Sequence, residues 1–373
     1  MAEPATEQLF DLTPTDDQAL AQNTARRFAQ EELRSKSRSA DEAALAPPGF
    51  YQKTMELGLN YGPIPESLGG IGAGRSPISG VLIAEDLGRG DMSLAIAALT
   101  PVSFINTLVD FGSAAQQAKY LPRFASDTFT AATVALMEPR ARFEPSELQT
   151  TAQAVGDDYK LDGVKCMVPL GLSAEVMLVV AELKGQGPAA FIVERGAAGV
   201  TTQRNIHMGL RSLELATVNL AGVLVPKSAK LGETERPFDL TRLVDLSRLG
   251  TGALAVGVCD AVLQYAKEYC NERVAFGEPI TNRQSVAFMI ADIAIELDAM
   301  RLMVWRAAAR ASRGLPFHRE AYLARVAVAQ RGMEIGTNGI QLLGGHGFIR
   351  EHLMELWYRN VRAAGILEGC AIV

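Results

Sequence analysis

The chain has 373 residues, of which 48% are hydrophobic, 21% charged and only 6% aromatic, and 36 basic against 42 acidic side chains leave a formal charge of −6. This length supports two or three domains with ample core, and the ordinary composition argues against disorder, collagen-like repeats and a small disulfide-stapled scaffold. With no basic stripe to neutralise phosphates, the composition also argues against a general nucleic-acid binder. Cys166, Cys259, Cys270 and Cys370 lie far apart, with no CxxC pair and no metal-ligand spacing. They read as reduced thiols of a cytoplasmic protein. The opening MAEPATEQLF lacks the basic and apolar regions of a signal peptide. No segment reaches the ~18 uninterrupted apolar residues of a membrane span.

Residues 1–125 read as a helical domain. Thr15 and Asp16 precede a run in which Ala19, Leu20, Thr24 and Phe28 recur at helical spacing. Pro47 and Pro48 break the pattern and Phe50 to Leu57 resume it. Pro63 to Gly74 is a Pro/Gly loop; its Gly70–Ile–Gly–Ala–Gly74 has no preceding strand and no βαβ unit, so a plain turn is the better reading than a dinucleotide loop. Ile78, Val81, Leu82, Ala84 and Leu87 predict a buried helix, and Ser93 to Leu108 another.

From 126 to 237 the character changes. Val176 to Leu183, Ala189 to Val193 and Val218 to Val225 are short apolar runs bounded by turns, and Asp157 to Gly163 reads as a hairpin. A mostly antiparallel β domain follows. From 238 to 373 the helical period returns. Met289, Ile293, Leu297, Met300 and Val304 make one apolar face, opposite Asp292, Glu296, Arg301 and Arg306. Gly314–Leu–Pro316 ends that helix, and Tyr322 to Leu342 makes another, which suggests a four-helix bundle. The fold class is α+β, in the order helical, β, helical.

Little obvious chemistry stands out. His207, His318, His346 and His352 are scattered, and there is no HExxH, nucleophile elbow or P-loop. Arg273–Val–Ala–Phe276–Gly–Glu–Pro–Ile280 with Gln284 sits at a joint between helices. It could clamp a diphosphate and stack on a flat ring, or be a plain corner with a surface Arg. Gln341–Leu–Leu–Gly–Gly345–His–Gly347 ends a long helix, where successive glycines allow close approach of a phosphate or adenine, or simply cap the helix. Glu368 lies in an apolar, Gly-flanked segment. There its pKa would rise towards that of a general base, unless it is merely salt-bridged.

In order and spacing these segments resemble the acyl-CoA dehydrogenase family of flavoproteins. Arg273, Phe276, Gly277, Ile280 and Gln284 resemble its Arg-x-x-Phe-Gly-x-x-Ile…Gln signature. Gln341 to Phe348 resembles its QxxGGxGy box, and Glu368–Gly369–Cys370 its terminal EGT. Pro65–Glu66…Gly70, Glu138–Pro139, Gly163–Val–Lys165, Met208–Gly–Leu–Arg211 and Val223–Leu–Val–Pro226 are similar to further landmarks. The resemblance implies FAD-dependent α,β-dehydrogenation of an acyl-CoA thioester, with electrons passed to an electron-transfer flavoprotein. A carboxylate takes the Cα proton while hydrogen bonds from its own backbone N–H and the cofactor polarise the thioester carbonyl. Of the family's two positions for the base, one is Ser247 here, which leaves Glu368. Arg248 resembles a substrate-binding Arg. Arg273, Phe276, Gln284, Gln341 and Gly345 resemble residues that reach across a dimer to the neighbour's FAD.

The flavin loops depart from the pattern. After Pro139 a Gly-Ser-Asp turn is expected, and Arg140 to Glu147 stands there, with Ser146 as the nearest hydroxyl. After Lys165 the expected WITN is Met167–Val–Pro169–Leu170, and Cys370 replaces the Thr of EGT. The chain thus keeps the half-site offered to a neighbour and has altered its own. That asymmetry suggests one subunit of a heteromeric, α2β2-type dehydrogenase acting with a paralogous partner. A homotetramer (a dimer of dimers of this chain alone) with an atypical flavin site, and a non-catalytic partner subunit, are the alternatives.

Overall fold

In the computed structural model, which describes residues 12–233 and 236–373, Thr15 caps the first helix through a reciprocal hydrogen-bond box with Gln18. The signal-peptide reading of residues 1–10 lies outside the described residues. The N-terminal helices are α1 (Asp16–Phe28), α2 (Ser37–Ala43), α3 (Phe50–Met55), α4 (Pro77–Gly90), α5 (Met92–Phe111) and α6 (Ala114–Tyr120). Leu20, placed on the apolar face by its spacing, is 68% exposed, whereas Ala25 and Phe28 are buried. Steps of four residues rotate by about 40° each, so Leu20 lies well off the stripe that Phe28 anchors.

The middle strands are β1 (Ala132–Ala135), β2 (Thr151–Val155), β3 (Asp158–Pro169), β4 (Val176–Leu183), β5 (Gly187–Glu194), β6 (Val200–Arg204) and β7 (Leu215–Pro226). Among the described residues they form one seven-stranded sheet in the order β1-β4-β2-β3-β7-β6, with β5 on the other edge of β4. Four pairings are antiparallel, as expected, but β4 lies parallel to both β1 and β2. Burial on both faces explains why β4 reads as a continuous apolar run rather than an alternating one.

The C-terminal part contains α7 (Leu240–Glu272), a hairpin of β8 (Val274–Ala275) and β9 (Glu278–Pro279), α8 (Gln284–Ser312), α9 (His318–Leu343) and the short α10 (Gly345–Phe348) and α11 (Met354–Val361). The stripe on α8 packs as read, with Ile293, Leu297, Met300 and Val304 buried. Arg301, on the opposite side, is not simply solvated: it pairs with Glu85 of α4 at 2.7 Å, and Trp305 donates to the same carboxylate. Of the four-helix bundle that was expected, three long helices, α7, α8 and α9, come from this part; α4 of the N-terminal part packs against α7 and α8, and the short α11 packs on α7 and α9. Helices α5 and α7 are long and apolar enough to cross a membrane, but 89% of each apolar window is buried inside the fold, so both are core helices.

Candidate active site

The segment after α11 threads the junction of all three parts and carries Glu368. Its path is fixed by backbone contacts to side chains from elsewhere. Ser247 Oγ on α7 accepts from Gly369 N–H (2.8 Å) and donates to the Cys370 carbonyl (2.9 Å). On α5, Ser103 Oγ accepts from Ile372 N–H and Asn106 donates to the Ile372 carbonyl. Gly369 has φ +79°, and a Cβ there would lie 2.7 Å from that of Leu136, beyond the end of β1, so glycine is required twice over. A Cβ at Gly250 would lie 1.8 Å from the Ala371 carbonyl oxygen. Gly250→Ala is therefore expected to push this segment off α7, costing about 1–3 kcal/mol and most of the turnover; urea unfolding and steady-state rates check both.

Glu368 is 8% exposed but not surrounded by apolar groups alone. Arg248 Nε lies 3.2 and 3.3 Å from its two carboxylate oxygens, and Arg325 Nε lies 3.4 Å from Oε1. Of the two readings of this acid, alone among apolar groups or salt-bridged, the structure shows the second: two guanidinium groups face it. Arg325 also donates to the Ala364 carbonyl. Arg248 continues to Asp245 at 3.7 Å, and Asp245 accepts from His318 Nδ1 at 2.9 Å. Burial pushes the Asp245 carboxyl up, and His318 and Arg248 only partly offset it. The Cys370 thiol is pushed up to about 12 by burial, so it stays a neutral, weak donor.

Just past the end of β1, Glu138 forms a fully buried pair with Lys165 at 2.9 Å. Glu138 also accepts from the N–H groups of Gln149 and Thr150, and Lys165 donates to the Leu136 carbonyl. Burial lowers Lys165 to about 8. Desolvation works to raise Glu138, but Lys165 and the two backbone donors outweigh it and hold it below its ordinary value.

The second set gathers at the opposite end of α7, about 37 Å along the helix from Arg248. The hairpin turn places Phe276 at φ +56° and Gly277 at φ +87°, with Phe276 94% exposed and the Arg283 guanidinium over its ring at 5.4 Å. Arg273, Gln284, Gln341 and Gly345 are exposed as well, and a Cβ on Gly344 or Gly345 would touch nothing within 4 Å. Tyr269 ties the two loops together by bonding His346 Nδ1 (2.8 Å) near the base of the hairpin. His346 and His352, which belong to no metal or triad motif, stack at 5.1 Å, each bonded to a tyrosine hydroxyl. Sequence reasoning missed that stack and missed Arg325, although a cation amid the buried Ala321, Ala324 and Val328 of α9 was a usable signal.

An outer end with an exposed cation, an exposed ring and open glycine backbone fits the adenosine-diphosphate arm of a dinucleotide cofactor. The inner loops fit a flavin less well. Arg140 folds back on the carbonyls of Glu144 and Glu147, with its Nε buried and unpartnered, so its guanidinium is bound within its own turn. Ser146 bonds Glu144 instead of facing inward. Pro169 has no N–H, Met167 takes left-handed backbone (φ +53°) at a bulge in the β3–β7 ladder, and Leu170 takes the same φ just past the end of β3.

The helical–β–helical order, with Glu368 buried where the three parts meet, is that of a flavoprotein dehydrogenase. Residues 15–128, 133–223 and 240–372 match, respectively, the acyl-CoA dehydrogenase N-terminal, middle and C-terminal domains. The chain is 31% identical over 363 residues to the human mitochondrial short-chain specific acyl-CoA dehydrogenase, covering 95% of this chain and 87% of the relative. It superposes on the butyryl-CoA dehydrogenase of Megasphaera elsdenii with a TM-score of 0.88, 30% identity and 96% of each chain covered. A chain from a structure of the electron-transferring flavoprotein of Acidaminococcus fermentans gives the same TM-score, identity and coverage. The chain belongs to the acyl-CoA dehydrogenase family. It is an FAD-dependent oxidoreductase of acyl-CoA thioesters.

Proposed function

We propose that this chain desaturates its acyl thioester at Cα–Cβ with Glu368 as the base. The observation that carries this is the seating of one buried carboxylate at the three-part junction, fixed by Arg248 and Arg325. Oε2, touched by Arg248 alone, is the freer oxygen to receive the Cα proton. The Glu368 N–H is the donor for the thioester carbonyl, so developing enolate charge meets a fixed dipole. FAD, when bound, would supply the acceptor for the hydride from Cβ. Arg248 orients Glu368 and lines the approach of the thioester.

Arg273, Phe276, Gln284, Gln341 and Gly345 serve the FAD of a neighbouring subunit, since one chain's hairpin end stands too far from its own Glu368. The altered inner loops favour a paralogous neighbour over a second copy. The homotetramer, and a chain that only completes its neighbour's site, are the competing assemblies. An electron-transfer flavoprotein is the proposed electron acceptor and the cytoplasm the proposed location.

The test is the visible spectrum and FAD-to-protein ratio of the chain expressed alone and with a paralogue. About half an FAD per chain, seen only on co-expression, supports the shared site; about one per chain from the chain alone favours the homomer. In whichever assembly holds flavin, Arg273→Ala is expected to weaken FAD retention by about tenfold or more, read by the flavin lost on dilution and gel filtration.

A further inference from the structure

The backbone N–H of Glu368 does not point into open space. It points at the thioether sulfur of Met137, 3.3 Å away. Met137 lies just beyond β1 and is 7% exposed. Its carbonyl accepts from Cys166 N–H, and on either side of it the Leu136 carbonyl and the Glu138 carboxylate both hold Lys165. The side chain, with three rotatable bonds, is the part free to move.

Sulfur is a weak acceptor, so a buried N–H facing it is only partly satisfied and gains when a carbonyl oxygen takes its place. We propose that Met137 is a specificity-determining residue: its thioether stands in for the thioester oxygen on the Glu368 N–H and must swing aside before an acyl thioester engages. This rests on the reading of that N–H as the carbonyl donor. A ligand with a carbonyl at this point recovers the hydrogen bond on displacing the sulfur. A thioether analogue does not, so the cover discriminates for thioesters against ligands that offer only a chain and a CoA handle.

The test uses the full chain in the assembly in which it purifies, labelled at the methionine methyl groups, with the Met137 resonance assigned by its loss in the volume-conserving Met137→Leu. Butyryl-CoA and S-butyl-CoA, which lacks the carbonyl, are the probes. Butyryl-CoA is expected to shift the Met137 methyl signal and S-butyl-CoA to leave it in place. Calorimetry is expected to show Met137→Ala binding butyryl-CoA about 3- to 10-fold more tightly, with S-butyl-CoA changed less. If butyryl-CoA binds and moves other methionine signals but not that of Met137, the inference is overturned and the acyl-CoA reading stands. An equal response to both probes also overturns it. Binding of neither probe, by the wild-type chain or either variant, overturns both.

Discussion

Replacing Glu368 with glutamine is expected to cut acyl-CoA turnover about 10³-fold, within the 10²–10⁴ range of a lost general base. Glutamine keeps the volume, the backbone N–H and an oxygen for Arg248 and Arg325, so the segment held by Ser247, Ser103 and Asn106 stays seated. Two guanidinium groups lose a counter-charge, although Arg248 keeps Asp245 at 3.7 Å. A modest fall in melting temperature should accompany the loss of rate, with circular dichroism unchanged at 25 °C. Glu368→Asp separates geometry from chemistry: it retains a carboxylate on a shorter arm and is expected to keep more activity than the glutamine variant. Unchanged turnover in Glu368→Gln would move the base to another chain.

The second large effect is on stability. Lys165→Ala leaves the Glu138 carboxylate buried without its cation and is expected to cost about 3–5 kcal/mol, read as a shift of the urea midpoint at constant slope. Adding Glu138→Leu removes the stranded charge but orphans the N–H groups of Gln149 and Thr150, while the Leu136 carbonyl has already lost its donor. The double variant should therefore recover only part of the loss. The pH dependence follows from the shifts. Glu138 is held below its ordinary value, so its contribution is complete above the unfolded carboxylate pKa and is lost as pH falls through the lowered folded value. Lys165, lowered to about 8, works on the alkaline side: the unfolded chain binds more protons between that value and the ordinary lysine pKa, so this group's contribution rises with pH across that window.

The elements that local pattern controls were legible. Strand β4 runs from Val176 to Leu183, the two ends of its apolar run, and α8 buries the stripe from Ile293 to Val304 because 3.6-residue periodicity is written into neighbouring positions. The Phe276 corner and the Gln341–Gly345 turn were visible because a hairpin and a helix end are local too. What surrounds Glu368 was not. Arg248 comes from 120 residues away, Arg325 from 43 and Met137 from 231, and only the packing of three layers brings them together. An acid in an apolar, Gly-flanked segment left open whether it stood alone or was salt-bridged; its decisive neighbours are two cations and a sulfur. Pro169 and Arg140 announced altered loops by their type, yet only the folded chain shows Arg140 bonded to its own turn.

Because Ser103 and Asn106, Ser247, and Leu136 with Met137 each hold one side of the Glu368 segment, no single layer owns the base. The segment acts as a coincidence detector for correct assembly of the subunit. Slippage of any one layer by an ångström should disarm the carboxylate while every helix and strand remains intact. On slow heating, inactivation is then a sensor of layer alignment and should run ahead of the loss of helical signal.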